Sequence, residues 1–311
     1  MMRPTRRALL TLPLAPSARA QDRPIRLVIA FPPGGSTDLL GRLVAPRMGE
    51  LLGTGVTPEN RSGASGAVGA GVVAQAAPDG TTLLLDSGGQ AVNPHLMRGL
   101  GFDYATAFAP VTLLATLPLV LVVRPDLGVT GLPALLARLR AEGRPAAYGS
   151  VGIGARTHLA MAALLRRAGL TGEHIPYRGG ADQMAGLLRG DVAMGFTSVA
   201  LAAPLLREGR LVALGYSLPG RVPAIAEQGF PGFAIGDWLA LLAPAGTPPA
   251  IVQRIVAAAR EAVMQPALRP RLAELGLEPA AEGPEALARF LAAERAAMGA
   301  LIAAEGIRLD G

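Results

Sequence analysis

The sequence predicts an α/β protein of two lobes joined by two crossover strands, and three observations carry that expectation. At 311 residues the chain exceeds what one hydrophobic core usually needs, so two lobes of about 100 to 150 residues each follow. Half of its residues are hydrophobic and 17% are charged, a balance that fills cores and excludes general disorder. Short β-rich runs alternate with longer helix-compatible segments, which predicts parallel sheets covered by helices.

In chain order, the first twenty residues read as an export signal. Arg3 to Arg7 form a basic region, Ala8 to Ala15 an apolar one, and Ala18-Arg19-Ala20 a small-x-small cleavage site before Gln21. Residues 21–121 and 237–311 are expected to build lobe one, and 122–236 lobe two. The strand expectations are Arg26 to Phe31, Thr82 to Asp86, Leu119 to Arg124, Ala146 to Ser150, Val192 to Phe196 and Val212 to Tyr216. Leu39, Leu40, Leu43, Val44 and Leu51 mark one apolar helix face, and Leu159, Ala162, Ala163 and Leu164 mark another. Phe108 to Val123 outward and Asp237 to Pro244 inward are the crossovers and hinge candidates. Pro248 to Gln265, Pro266 to Leu275 and Pro284 to Glu305 are proline-opened helical patterns with little strand signal between them, and they are expected to pack back on lobe one. Gly, Pro and Arg break every later apolar run before the roughly 20 residues a membrane span needs.

Composition excludes several chemistries. All 29 basic residues are arginine, so no Schiff base or lysine nucleophile is available, and without cysteine there is neither disulfide nor thiolate. The formal charge of +6 includes Arg3, Arg6, Arg7 and Arg19, and losing them leaves 25 Arg against 23 acids, or +2. With so small a charge and few aromatics, nucleic acid is not an expected partner. His95, His158 and His174 lie far apart without paired spacing, so no metal site is expected. No cofactor is expected either: Gly69 to Ala74 fits GxGxxA but follows a polar loop, Asn60 to Ser65, where a strand is required, and reads as a helix-packing run. Ser65, Ser150 and Ser217 lack an intact GxSxG elbow, so no catalytic residue is assigned.

Two strand-glycine-helix turns carry the functional expectation. In the first, Phe31, Pro33, Gly34, Gly35, Ser36 and Asp38 are candidate ligand contacts; in the second, Ser150, Gly152, Gly154, Ala155 and Thr157 are. Free amides and the helix dipole favour an anion at such a turn, and glycine lets the ligand approach the main chain. The bland alternative is ordinary N-capping by Ser36, Thr37 or Asp38. Two such turns, one per lobe and both at carboxyl ends of strands, can share one small carboxylate. Ser87, Gly88 and Asn93 in lobe one and Thr197 and Ser198 in lobe two are lesser candidates, each able instead to satisfy its own loop. Arg156 and Arg178 receive no role, since most arginines must lie on the surface.

Ordered motifs along the mature chain add a resemblance. They include Phe31-Pro32-Pro33-Gly34-Gly35 with Asp38, Glu59-Asn60-Arg61-Ser62-Gly63-Ala64, Ala77-Pro78-Asp79-Gly80-Thr81-Thr82-Leu83, Asn93-Pro94, Phe108-Ala109-Pro110-Val111, Tyr148-Gly149-Ser150 with His158-Leu159, Pro176-Tyr177-Arg178-Gly179, Trp238, and Ala243 to Pro248. In these the chain resembles the Bug family, the TctC-type receptors of tripartite tricarboxylate transporters. The resemblance implies a two-lobe periplasmic binding protein of type II, a Venus flytrap, whose two turns grip a carboxylate partly through water. It also implies a periplasmic monomer that delivers its ligand to a tripartite tricarboxylate-type permease, or that signals through a partner protein. The competing class is an α/β enzyme acting on a small carboxylic acid, for which no nucleophile, base and orienting group are paired in the sequence. Three departures stand out: Thr197 replaces a common Asp, Leu214 to Glu227 is short, and Thr57-Pro58 replaces an aliphatic pair, which predicts a weakened or edge strand.

Overall fold

A computed structural model describes residues 23–218 and 223–308. The expected export signal, and residues 219–222 of the short segment, lie outside them. The first elements are β1 (Ile25–Ile29), α1 (Ser36–Leu52), β2 (Val56–Asn60), α2 (Ala67–Ala74), β3 (Thr82–Asp86), α3 (Gly89–Leu96) and β4 (Phe108–Leu117). The middle of the chain forms β5 (Leu119–Val123), α4 (Leu132–Glu142), β6 (Ala146–Ser150), α5 (Arg156–Arg167), β7 (Gly172–Pro176), α6 (Gly180–Arg189), β8 (Met194–Ser198), α7 (Val199–Arg207) and β9 (Val212–Tyr216). It ends with β10 (Asp237–Pro244), α8 (Pro249–Met264), α9 (Arg269–Glu274), β11 (Glu278–Glu282) and α10 (Pro284–Glu305).

These strands form two sheets, ordered β11-β4-β10-β3-β1-β2 and β7-β6-β8-β5-β9. Only Pro118 separates β4 from β5, and the chain leaves the first sheet for the second there; proline has no N–H with which to continue a ladder. After β9 the chain returns as β10, which runs antiparallel to both β3 and β4. The sheets are therefore mixed, which corrects the parallel expectation: strands arriving from the other lobe enter in the opposite direction. β5 likewise runs antiparallel to β8 and β9.

Alternating strand residues serve opposite faces of each sheet. Leu27, Ile29, Leu83 and Leu85 meet α1 and α8 on one side of the first sheet, while Val28, Leu84, Ala240 and Leu242 meet α2, α3 and α10 on the other. Leu83, Leu84 and Leu85 are fully buried, each contributing about 2 kcal/mol. In the second sheet, Leu121 and Phe196 face Met161 and Leu164, whereas Val120 and Val122 face Met184 and Leu187. Leu159 of α5 shares a core with Leu287, Leu291 and Met298 of α10, so the last helix packs against both lobes. No helix among the described residues is long and apolar enough to cross a membrane.

Edge position explains the strands whose sequence was silent. β2 lies at one edge, as Thr57-Pro58 predicts, and β7 and β11 at others. The segment between the last helices was expected to carry little strand; instead Glu278-Pro279-Ala280-Ala281-Glu282 pairs with β4. Proline and glutamate have poor strand propensity but suit an edge, so pairing to β4 rather than local preference makes this strand.

Candidate functional site

The β1–α1 loop is organised by one carboxylate. Gly34 has φ +81°, a left-handed conformation that glycine adopts without a steric penalty. Its N–H donates to Asp38 Oδ2 at 2.9 Å. Asn60 Nδ2 and Arg42 Nε donate to Asp38 Oδ1, each at 2.9 Å, and Asn60 also donates to the Phe31 carbonyl at 3.0 Å. Burial works to raise the Asp38 carboxyl, but these donors outweigh it and hold the group below its usual range. Asp38 is buried, whereas Pro33, Gly34 and Gly35 are exposed and Ser36 and Phe31 half-buried.

The β6–α5 loop repeats the device with different chemistry. Gly154, at φ +74°, donates its N–H to His158 Nδ1 at 3.1 Å. Thus in each loop the third residue of the helix accepts the amide of a left-handed glycine four positions earlier. Val151 N–H donates to Thr157 Oγ1 at 3.1 Å, and Gly152 N–H to Ser150 Oγ at 3.1 Å. Ser150 Oγ donates to the Gly152 carbonyl at 3.0 Å and lies 2.6 Å from His174 Nε2. The His158 and His174 rings stack with centroids 3.7 Å apart. Burial lowers His158 to about 3, with His174 adding to the effect, and burial lowers His174 to about 4. Both rings are neutral at pH 7.

Several expected ligand contacts are therefore turned inward. The side chains of Asp38, Ser150 and Thr157 build their loops by binding the amides of Gly34, Gly152 and Val151, and His158 occupies that of Gly154. A polar side chain a few residues away reaches a free turn amide at little entropic cost. The amides of the first helical turns, Ser36 and Thr37 in α1 and Arg156 and Thr157 in α5, have no intrahelical acceptor. Thr197 is fully buried opposite Val120, and Ser198 caps α7 by accepting from Leu201 N–H at 3.4 Å.

A third turn joins the two loops. Parallel pairing sets Ile29 beside Leu85, so the β1–α1 loop and the β3–α3 turn emerge together. A β-carbon on Gly88 would lie 2.6 Å from Arg156 Nε, and one on Gly154 would lie 2.4 Å from Leu96 Cδ1. The second lobe's loop thus packs directly on α3 of the first lobe. Ser87 is buried, its N–H bound by Asp86 Oδ1 at 2.8 Å, while Gly88 N–H is bound by Asp237 Oδ1 at 3.1 Å. Beside this turn, Ala64 and Ser65 both have left-handed backbones, φ 46° and 49°, a strained pair for non-glycine residues. The Ser65 carbonyl accepts from Asn93 Nδ2 at 3.0 Å.

Arg156, assigned no role from the sequence, crosses to the first lobe. It is buried, pairs with Glu294, contacts Met298 Sδ and lies 6.0 Å from the Trp238 ring centroid. Trp238 Nε1 donates to the same Glu294 oxygen at 3.0 Å. Nothing in the spacing of positions 156, 238 and 294 announces this contact. Of the three histidines read as separate, His158 and His174 meet because β6 and β7 pair in parallel with Tyr148 opposite His174.

The likeness to known proteins agrees with this geometry. Residues 40–307 match the family described as the tripartite tricarboxylate transporter family receptor, TctC. Protein BugT of Bordetella pertussis is 34% identical over 280 residues, covering 88% of this chain and 86% of that protein. The adipate-bound protein of R. palustris is 32% identical with a TM-score of 0.82, covering 92% of this chain and 98% of that one. MatC from Rhodopseudomonas palustris with bound malate is 30% identical with a TM-score of 0.77, covering 90% of this chain and 99% of that one. Two lobes, paired loops and ordered motifs thus converge with these matches: the chain belongs to the TctC family of tripartite tricarboxylate transporter receptors, the Bug proteins.

Proposed function

We propose that this chain is a periplasmic receptor that captures a small carboxylate between its lobes and delivers it to a tripartite tricarboxylate-type permease. The observation that carries the reading is that the N-terminus of α5, from the second sheet, packs on the β3–α3 turn, which emerges beside the β1–α1 loop of the first sheet. Solved relatives holding adipate and malate support the ligand class. The lobes are residues 21–121 with 237–311, and 122–236, closing about β4–β5 and β10. The backbone around Phe31, Pro33, Gly34, Gly35 and Ser36 faces that around Gly152, Gly154 and Ala155, and the Ser87 turn completes the floor.

Binding without turnover fits the side chains. Ser150 and His174 approach to 2.6 Å, but Ser150 is fully buried and bonded to Gly152 through both its donor and acceptor roles, which leaves no hydroxyl to attack a substrate. Closure follows because the ligand touches both lobes only in the closed state. Calorimetry of the monomeric mature protein against adipate, malate and related acids tests the reading. Saturable one-to-one binding is the expected result; a folded protein that binds none of them overturns it.

A further inference from the structure

The junction between the lobes gathers three carboxyl groups, Glu294 and Asp237 beside the Arg156 guanidinium and Asp86 beside Asp237. Glu294 pairs with Arg156, which leaves Asp86 and Asp237 held by neutral donors. Asp86 ends β3, is fully buried, and accepts from Ser87 N–H at 2.8 Å and Gln90 Nε2 at 2.9 Å. Asp237 opens β10 and accepts from Gly88 N–H at 3.1 Å and Trp238 N–H at 2.9 Å. The β3–α3 turn, which touches the second lobe's ligand loop through Gly88 and Arg156, is thus suspended from two acids on neighbouring strands. Desolvation is the larger cause pushing Asp86 up, to about 7, with Asp237 adding to it. Desolvation also raises Asp237, against the attraction of Arg156.

Adding a carboxylate ligand to this junction places one more negative charge beside a surplus of acids. We propose that ligand capture takes up one solvent proton on Asp86, converting its carboxylate to the neutral acid, so that Asp86 sets the affinity for anions. Gln90 suits both states, because its amide offers NH2 to a carboxylate and, turned over, a carbonyl to a protonated acid. Asp237 is raised alongside Asp86 and shares its corner, while several neighbours are displaced from this window. Tyr104 is raised by burial and by Asp86, His158 and His174 are lowered to about 3 and about 4, and Asp38 is held low. His95 turns to α10, its Nε2 2.8 Å from the Arg295 carbonyl.

The inference rests on the receptor reading, and its test separates the two. Adipate, malate and succinate are titrated calorimetrically between about pH 6 and about pH 8.5, at the upper end in buffers of different ionisation enthalpy, so that proton uptake is counted directly by linkage. The wild-type chain is expected to take up more than about half a proton at the upper end and to bind at least about threefold more weakly there than at pH 6. Asp86→Asn, a neutral isostere, is expected to bind without proton exchange and with a flat pH profile. Binding by the wild-type chain with no proton uptake and a flat profile overturns this inference alone, whether or not the variant folds. Binding of none of the three acids overturns the receptor reading and this inference with it.

Discussion

Asp38 and His158 do the same task in two loops, each drawing in the amide of a left-handed glycine, yet they respond oppositely to charge. Asp38 works as an anion stabilised by three donors, so Asp38→Asn leaves one amide or guanidinium poorly matched. A loss of about 1 to 3 kcal/mol in urea unfolding is expected, with weaker ligand binding as the loop relaxes. His158 works only when neutral, since Nδ1 cannot accept once protonated. Its folded value of about 3, and that of about 4 for His174, lie below the ordinary 6.5; the unfolded chain therefore binds more protons. Stability from the pair is complete above about pH 6.5 and is lost progressively as pH falls towards 4 and then 3. Urea midpoints measured across that range should fall in the wild-type chain and fall less in His158→Gln, whose amide oxygen can still accept the Gly154 N–H.

Among elements, α10 couples the lobes through a buried arginine on the first turn of α5 and a glutamate shared with the tryptophan of β10. Glu294→Leu strands the Arg156 charge, at an expected cost of about 3 kcal/mol. Combining it with Arg156→Met should recover part of that loss, and simple additivity in the double-variant cycle would argue against the coupling. The glycine run on α2 makes a different claim. A β-carbon on Gly69 would lie 2.8 Å from the Arg61 carbonyl oxygen and 2.9 Å from Ala30 Cα, both backbone atoms that cannot easily retreat. Gly69→Ala should cost about 1 to 3 kcal/mol in unfolding measurements, as helix packing on β1 requires and a nucleotide loop does not.

For the whole molecule, closure should appear as a smaller radius of gyration in X-ray scattering when adipate or malate is added, and as a stability gain of about 2.7 kcal/mol at a hundredfold excess over Kd. Equal scattering with and without a bound acid would contradict closure about β4–β5 and β10. Much of this architecture was legible in the chain: β3, β6, β9 and β10 have the expected limits, because buried apolar runs bounded by glycine and proline report local burial. The two glycine turns were legible for the same reason, being defined by a few consecutive residues. The inward turn of Asp38, Ser150 and Thr157 was not, nor were the mixed strand directions, β7 and β11, the stacked histidines, or the path of Arg156 to Glu294. The sequence by itself determined most of the strands and helices and where the chain can turn tightly. Only the tertiary structure decided which of those polar groups meet, because hydrogen bonds and ion pairs between distant positions depend on sheet pairing and helix packing, and neither leaves a local periodicity to read.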